Sequence, residues 1–179
     1  MFKTIILTMP TFLDHEAERM AAMLHDGKAD IIHIRKPEAE ADRVEWLLRA
    51  IPCECYPRIV LHDHFELAVR YGLYGVHLNS RNPLPPEGWR GSISRSCHSL
   101  HEVEEWKGRC SYVSLSPIFD SVSKEGYKSA FKEEEIREAV GKGIIDNKTY
   151  ALGGVTFKSL KKVEEMGFGG AMILGDAWR

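Results

Sequence analysis

The sequence has no long apolar run and no strong excess of charge of either sign. No stretch approaches the roughly 20 apolar residues that a membrane-spanning helix needs, and the formal net charge is only -2. A nearly neutral chain offers no electrostatic basis for binding nucleic acid or an anionic membrane surface. The N-terminal segment also lacks the apolar region and cleavage site of a signal peptide. We therefore expect a cytoplasmic protein with small-molecule partners.

Cysteine is scarce as well, and its spacing carries no motif. The four cysteines form neither a CxxC pair nor a zinc-type pattern; they are Cys53, Cys55, Cys97 and Cys110. Free thiols in a reducing compartment account for them better than disulfides do. A hydrophobic content of 44% and a charged content of 28% are those of an ordinary globular protein. The chain is long enough for one substantial core, so we predict a single domain over residues 1–179.

What the sequence does contain is a regular alternation of short apolar segments with helical or loop segments. Eight segments have the composition of buried strands: 3–8, 30–35, 58–62, 74–78, 92–96, 111–115, 148–152 and 170–174. Helical patterns occupy 13–24, 39–50, 64–71, 132–140 and 156–166, and another begins at Ser99. A proline-rich loop replaces the helix after the fourth segment, and a long loop covers 116–131.

This alternation predicts βα units and a parallel sheet. Eight such units with right-handed connections close into a (β/α)₈ TIM barrel. A doubly wound open sheet explains the alternation too, but it usually has five or six strands. Because 179 residues are few for a barrel and no helical pattern follows the eighth strand, we expect a compact barrel whose last helix is absent from this chain.

Gly153 and Gly154 lie between a predicted strand and a predicted helix, with Thr156 as a candidate N-cap. Two glycines allow a ligand to approach the backbone closely. The free N–H groups and the dipole of a helix start favour an anion such as phosphate. The same pair of glycines also suits a simple tight turn, so the residues at the other strand ends must decide between a turn and a phosphate site.

Active sites of (β/α)₈ barrels lie at the C-terminal ends of the strands. In this chain those ends carry cations, hydroxyls, backbone amides and one carboxylate: Arg35, Lys36, His62, Asp63, 79–82, Ser96, His98, 121–124, Gly153, Gly154 and Gly175. Such groups suit a polyphosphate ligand, and a carboxylate beside phosphate oxygens can hold Mg²⁺. His33 and His77 lie within predicted strands, and we expect them to be interior histidines with satisfied partners.

Several motifs together resemble the thiamine-phosphate synthase family, in that family's order and at its intervals. They are Ile32-His33-Ile34-Arg35, Leu61-His62-Asp63, Gly75-Val76-His77-Leu78, Ser96-Cys97-His98-Ser99-Leu100, Ser116-Pro117-Ile118-Phe119, Ser121-Val122-Ser123-Lys124 and Ala151-Leu152-Gly153-Gly154-Val155-Thr156. The resemblance implies a (β/α)₈ barrel that joins hydroxymethylpyrimidine diphosphate to thiazole phosphate and releases pyrophosphate with the help of Mg²⁺. It leaves a homo-oligomer open.

The resemblance also implies roles for individual residues. Those expected to take part in catalysis are Arg35, Ser96, His98 and Lys124. Those expected to bind substrate are Lys36, His62, Ser121, Ser123, Gly153, Gly154 and Gly175. The two positions expected to hold Mg²⁺ are Asp63 and Asn82.

The chain departs from the synthase pattern at some of these positions. Arg35-Lys36-Pro37 stands where synthases have Arg-Glu-Lys, which displaces the lysine by one residue. His62 replaces an asparagine, and Asn82 replaces the second metal-binding aspartate, so the expected Mg²⁺ site is weakened. Thiamine biosynthesis by a transferase remains the leading interpretation.

Two other functions stay open. One is a thiazole phosphate tautomerase, the activity of a sister branch whose catalytic histidine falls on Pro117 here, so that His62 or His98 would have to move the proton. The other is a catalytically inactive barrel that binds thiazole phosphate or thiamine phosphate.

Overall fold

In the computed structural model, which describes residues 1–120 and 129–179, eight parallel strands form a closed barrel and follow one another in sequence order. The strands are β1 (Lys3–Leu7), β2 (Ile31–Ile34), β3 (Ile59–Leu61), β4 (Gly75–Leu78), β5 (Ser92–Cys97), β6 (Tyr112–Leu115), β7 (Thr149–Ala151) and β8 (Gly170–Ile173). The C-terminal end of each strand lies within one residue of the end of the predicted segment. The predicted (β/α)₈ barrel is confirmed.

Between the strands, the described part of the chain has six α-helices: α1 (Glu16–His25), α2 (Ala41–Ala50), α3 (Phe65–Tyr71), α4 (Leu100–Lys107), α5 (Glu133–Gly141) and α6 (Leu160–Glu165). Short 3₁₀ helices cover Cys53–Arg58, Phe157–Ser159 and Gly175–Trp178. As predicted, a loop and not a helix joins β4 to β5. None of the helices in the described residues is long and apolar enough to cross a membrane.

Burial explains why most of these strands are rich in apolar residues, whereas the partly buried β5 is mostly polar. Every residue of β2, β3, β4, β6, β7 and β8 is buried. Strands of a parallel barrel are covered on both faces, so they lack the polar alternation of a solvent-facing sheet. Polar residues within such strands are therefore exceptions that need partners or a function.

The chain divides into two compact units. The first, called the N-terminal unit, is residues 5–93; the second, called the C-terminal unit, is residues 1–4 with 94–179. In the N-terminal unit β2 pairs with β1 and β3, and β3 pairs with β4. In the C-terminal unit β5 to β8 pair in succession. The single domain expected over residues 1–179 stays a prediction.

Candidate active site

Three buried histidines lie together in the N-terminal unit, on or directly after β2, β3 and β4. His33 pairs with Val60, and Leu61 pairs with Val76 in the next strand. Because side chains alternate along a strand, this register puts the rings of His33, His62 and His77 on one face of the sheet. Their exposed fractions are 0%, 4% and 1%.

The three rings also contact one another. Nδ1 of His33 lies 2.9 Å from Nε2 of His62, within hydrogen-bond distance. The rings of His62 and His77 stack with centroids 4.1 Å apart, and His33 meets His77 edge to face at 5.2 Å. His33 and His77 are thus interior residues, as expected. His62, expected to bind substrate, lies buried with them.

The three residues His33, His62 and His77 are called the histidine cluster below, and burial keeps two of them, His33 and His62, from accepting protons easily. It lowers the pKa of His33 well below the ordinary value, and the nearby His77 lowers that pKa further. Burial likewise lowers the pKa of His62, with smaller contributions from the other two rings and from Arg35 and Arg81. We therefore treat the imidazoles of His33 and His62 as neutral near pH 7.

We expect acid to destabilise the protein through these histidines. Their pKa values are lower in the folded chain than in the unfolded chain, where histidine titrates near 6.5, so the unfolded state binds more protons as the pH falls. The free energy of unfolding should therefore decrease once the pH drops below about 6.5. Urea denaturation at pH 7.5 and at pH 5.5 measures this effect.

Two variants make the assignment specific. His33→Gln should reduce the acid-dependent loss, whereas the exposed His101→Gln should retain it in full. An unfolding midpoint that is the same at the two pH values in the wild-type protein would contradict the prediction.

The predicted metal ligands Asp63 and Asn82 do come together, but they bond to each other. The carboxylate of Asp63 accepts hydrogen bonds from Nε of Arg81 at 3.0 Å and from Nη2 at 3.1 Å. Asn82 donates from Nδ2 to the same carboxylate at 2.9 Å and to the carbonyl of His62 at 3.1 Å. Asn79 accepts from the backbone N–H groups of Arg81 and Asn82 and so fixes this loop.

These residues do not fit a Mg²⁺ site in this arrangement. Mg²⁺ requires oxygen ligands in near-octahedral geometry, but both oxygens of Asp63 face the guanidinium of Arg81. The amide of Asn82 presents its NH₂ group, because the reverse orientation would set its oxygen against a carboxylate and a carbonyl. Asn82 therefore supports Asp63 and does not act as a second ligand here.

Arg35 and Lys36 are neighbours at the end of β2, but their side chains differ completely. The guanidinium of half-buried Arg35 has no hydrogen bond or ion pair among the residues that the structure describes, while its backbone N–H donates to Thr8 at 2.9 Å. A cation in this state can bind an incoming anion. The catalytic role expected for Arg35 stays a prediction.

The side chain of Lys36 is buried in the protein interior. Its Nζ donates to the carbonyl oxygens of Met9 at 2.9 Å and Thr11 at 2.7 Å and to the carboxylate of Glu16 at 2.6 Å. The side chains of Lys36 and Glu16 are only 1% and 2% exposed. Burial lowers the pKa of Lys36, and the bond and charge of Glu16 oppose that shift. With its three donors used, Lys36 is a structural ion-pair partner, which corrects its predicted substrate role.

In the C-terminal unit, the ends of β5 and β6 carry hydroxyls beside a histidine. Ser96 pairs with Ser114 across the two strands. One residue beyond β5, the exposed His98 has its Nδ1 3.2 Å from Oγ of Ser116. Its backbone N–H donates to Glu102 at 2.6 Å at the start of α4. Ser96 and His98 are therefore placed at a strand end, where catalytic groups of barrels lie.

The Gly153-Gly154 turn packs against the loop that follows β6. Both glycines have a positive φ, 91° and 65°, which other residues rarely adopt. A Cβ atom on Gly153 would lie 2.8 Å from Cα of Pro117, and one on Gly154 would lie 2.8 Å from Cβ of Phe119. Protein backbone thus makes the close approach that the sequence assigned to a ligand, and phosphate binding by this turn stays a prediction.

An acidic side chain already lies at the helix start beyond this turn. Asp176, next to Gly175, accepts a hydrogen bond from the backbone N–H of Phe157 at 3.0 Å. Thr156 donates its N–H to the hydroxyl of Ser159 at 2.9 Å. The sequence indicated an anion position here, and in this structure a carboxylate of the chain itself lies there. A Cβ on Gly175 would meet nothing within 4 Å, so packing does not require that glycine.

Ser121, Ser123 and Lys124 lie outside the described residues. Glu16, Arg81 and Asp176 were missed as functional or structural partners. Arg81 carried a signal, because a basic residue beside Asn82 reverses the charge expected at a metal site.

A model of the thiamine monophosphate synthase family matches residues 5–175. The chain belongs to this family. Among its curated relatives, the thiamine-phosphate synthase of Photorhabdus laumondii is 29% identical over 125 residues. The aligned residues cover 65% of this chain and 56% of the relative. The thiamine-phosphate synthase of Koribacter versatilis is 26% identical over 175 residues and covers 92% of this chain. The chain thus spans little more than half the length of the first of these relatives.

Solved structures agree with the family assignment. Thiamine phosphate pyrophosphorylase from Bacteroides thetaiotaomicron superposes with a TM-score of 0.89 at 43% identity and covers 99% of this chain and 85% of its own. The enzyme of the same name from Pyrococcus furiosus has a TM-score of 0.71 at 19% identity, which shows a shared fold. The family member described here thus has the barrel of its relatives.

Proposed function

We propose that the chain is a transferase of the thiamine-phosphate synthase type, which joins hydroxymethylpyrimidine diphosphate to thiazole phosphate and releases pyrophosphate. The match of residues 5–175 to the family model carries the proposal. It is supported by the 43% identity with the Bacteroides thetaiotaomicron protein over nearly the whole chain. The cytoplasmic location expected from the sequence stays a prediction.

The reaction breaks the bond between the pyrimidine methylene carbon and the diphosphate oxygen, and the electron pair leaves with pyrophosphate. The thiazole nitrogen forms the new bond to that carbon, so no protein nucleophile is required. Negative charge grows on the leaving oxygens, and preorganised cations or N–H donors stabilise it. Arg35, in the N-terminal unit, is our candidate for such a cation. The contribution expected of Ser96 stays a prediction. Lys124 remains a predicted contributor.

We expect the purified protein to release pyrophosphate only when both substrates are present. Arg35→Ala should lower turnover by about 10²- to 10³-fold, the usual cost of removing one charge-stabilising donor. Arg90→Ala, at an exposed loop position, is the matched control and should leave turnover unchanged. Coupled detection of pyrophosphate and chromatography of thiamine phosphate measure the two products.

The same assay separates the other functions. Conversion of a thiazole carboxylate phosphate tautomer without pyrophosphate release would favour the tautomerase, for which the contact between His98 and Ser116 is the supporting observation. Binding of thiazole phosphate with no turnover of any substrate would favour an inactive binding protein. Either outcome would contradict the transferase proposal.

A further inference from the structure

We propose that the histidine cluster, His33, His62 and His77, is a binding site for a zinc-type transition-metal ion. One ring nitrogen from each of the three residues lies within 4.8 Å of the other two. The three side chains come from neighbouring strands and are buried. This inference does not depend on the proposed transferase reaction, and it concerns a different metal and different residues from the expected Mg²⁺ site.

The distances are those of a site that closes with small movements. Zinc–nitrogen bonds of about 2.0–2.1 Å in tetrahedral geometry set ligand nitrogens roughly 3.3 Å apart. Nδ1 of His33 and Nε2 of His62 are 2.9 Å apart, so an ion between them requires the rings to separate by only a few tenths of an ångström. The ring of His77 must rotate out of its stack on His62 to direct a nitrogen at the same point.

The protonation states of His33 and His62 allow them to bind a metal ion. A metal ion takes the lone pair of a neutral imidazole, and burial keeps His33 and His62 neutral. In the hydrogen bond between these two rings, one nitrogen carries the proton and the other offers its lone pair. When the ion binds, that proton moves to the other nitrogen of the same ring, so the metal gains both lone pairs, each ring stays neutral and no proton is released.

Ligand type and surroundings define which ion the site would take. Three imidazoles prefer Zn²⁺, Co²⁺, Ni²⁺ or Cu²⁺ and do not suit Mg²⁺. Three histidines form a known catalytic zinc set, in which water takes the fourth position. The side-chain amides of Asn79 and Asn82 donate to the carbonyl of His62 at 2.8 and 3.1 Å and hold that ligand in place.

Two charged groups near His62 oppose a cation. Arg35 and Arg81 both lie near enough to lower the pKa of His62. The carboxylate of Asp63 neutralises Arg81 through its paired hydrogen bonds. Among the described residues, Arg35 is then the opposing charge that no carboxylate neutralises, so Arg35→Ala should tighten metal binding while it weakens turnover.

The test uses the full chain after removal of bound metal with a chelator. Titration with Co²⁺ at pH 7.5 should give one equivalent of tightly bound ion with the intense visible absorption of a four-coordinate site. Zn²⁺ should displace it, whereas Mg²⁺ should not. His33→Gln, His62→Gln and His77→Gln should each weaken binding at least 100-fold, and His101→Gln, at an exposed position, should not change it.

Absence of a one-to-one Co²⁺ complex in the wild-type protein would overturn the proposal, as would equal affinity in all four variants. X-ray absorption of the Zn²⁺-loaded wild-type protein keeps the test decisive if a variant fails to fold. Three imidazole ligands in that spectrum support the site, and a shell of oxygens alone contradicts it.

Discussion

Lys36→Met should lower the free energy of unfolding by about 3–5 kcal/mol, because it removes one partner of a buried ion pair. The carboxylate of Glu16 would then remain in the interior without its cation, and the carbonyl oxygens of Met9 and Thr11 would lose their donor. A buried charge without a partner is among the most destabilising changes that a single substitution can make. Urea denaturation monitored by circular dichroism measures the loss.

Two controls separate this from a general effect of removing a lysine. Lys142→Met breaks a pair with Glu138 whose side chains are 62% and 66% exposed, and it should leave the unfolding midpoint unchanged. The double change Lys36→Met with Glu16→Leu removes both charges and should recover most of the stability. If Lys36 contacted substrate instead, Lys36→Met would raise KM and leave the unfolding curve in place, which is the result that would contradict our assignment.

The pair of Lys36 and Glu16 also shows what local sequence could not reveal. A lysine directly after Arg35 at a strand end is typical of an anion site, and the guanidinium of Arg35 makes no hydrogen bond or ion pair among the described residues. Consecutive residues point in different directions, and only the tertiary position of Glu16, 20 residues earlier, decides where Lys36 points. The same limit hid the pairing of Asp63 with Arg81, which are 18 residues apart.

The barrel itself was accessible from sequence because most strands are short apolar segments bounded by polar or turn residues; β5, with the sequence Ser-Ile-Ser-Arg-Ser-Cys, is the exception. The differences are confined to ends. Arg58 was included in the third strand, but it ends a 3₁₀ helix, where its guanidinium donates to the carbonyl oxygens of Leu24, Ala29 and Asp30. These bonds join distant parts of the chain, so no periodicity in the sequence contains them. The packing of Gly154 against Phe119 is hidden for the same reason.

If the transferase proposal holds, turnover should persist in excess EDTA, in contrast to the Mg²⁺ dependence that the family resemblance implies. The site that the resemblance implies, two aspartates with one Mg²⁺, has no net charge. The group found here, Asp63 and Asn82 with the guanidinium of Arg81, has no net charge either, so Arg81 can replace the ion electrostatically. Arg81 uses Nε and one N–H of Nη2 on Asp63. A guanidinium has five N–H donors, so three make no hydrogen bond to another described residue and can bridge from the carboxylate to a diphosphate, as a metal ion would.

If the guanidinium of Arg81 takes the place of the metal ion, Arg81 should contribute more to turnover than an arginine elsewhere on the surface. Arg81→Ala should lower turnover by about 10²- to 10³-fold and should weaken binding of inorganic pyrophosphate in calorimetry with EDTA present. Arg90→Ala is again the matched control. The double change Arg81→Ala with Asn82→Asp restores two carboxylates without the competing cation, and its pyrophosphate binding should become dependent on Mg²⁺.

The outcomes distinguish this prediction from the function on which it rests. A wild-type protein that turns over only with Mg²⁺ would show that Asp63 exchanges Arg81 for the ion, and the guanidinium would then have no role in the reaction. A protein that shows no turnover with or without Mg²⁺, yet binds pyrophosphate in EDTA through Arg81, would contradict the transferase proposal and leave the anion site standing. Because the binding measurement needs no catalysis, the role of Arg81 can be decided even in the second case.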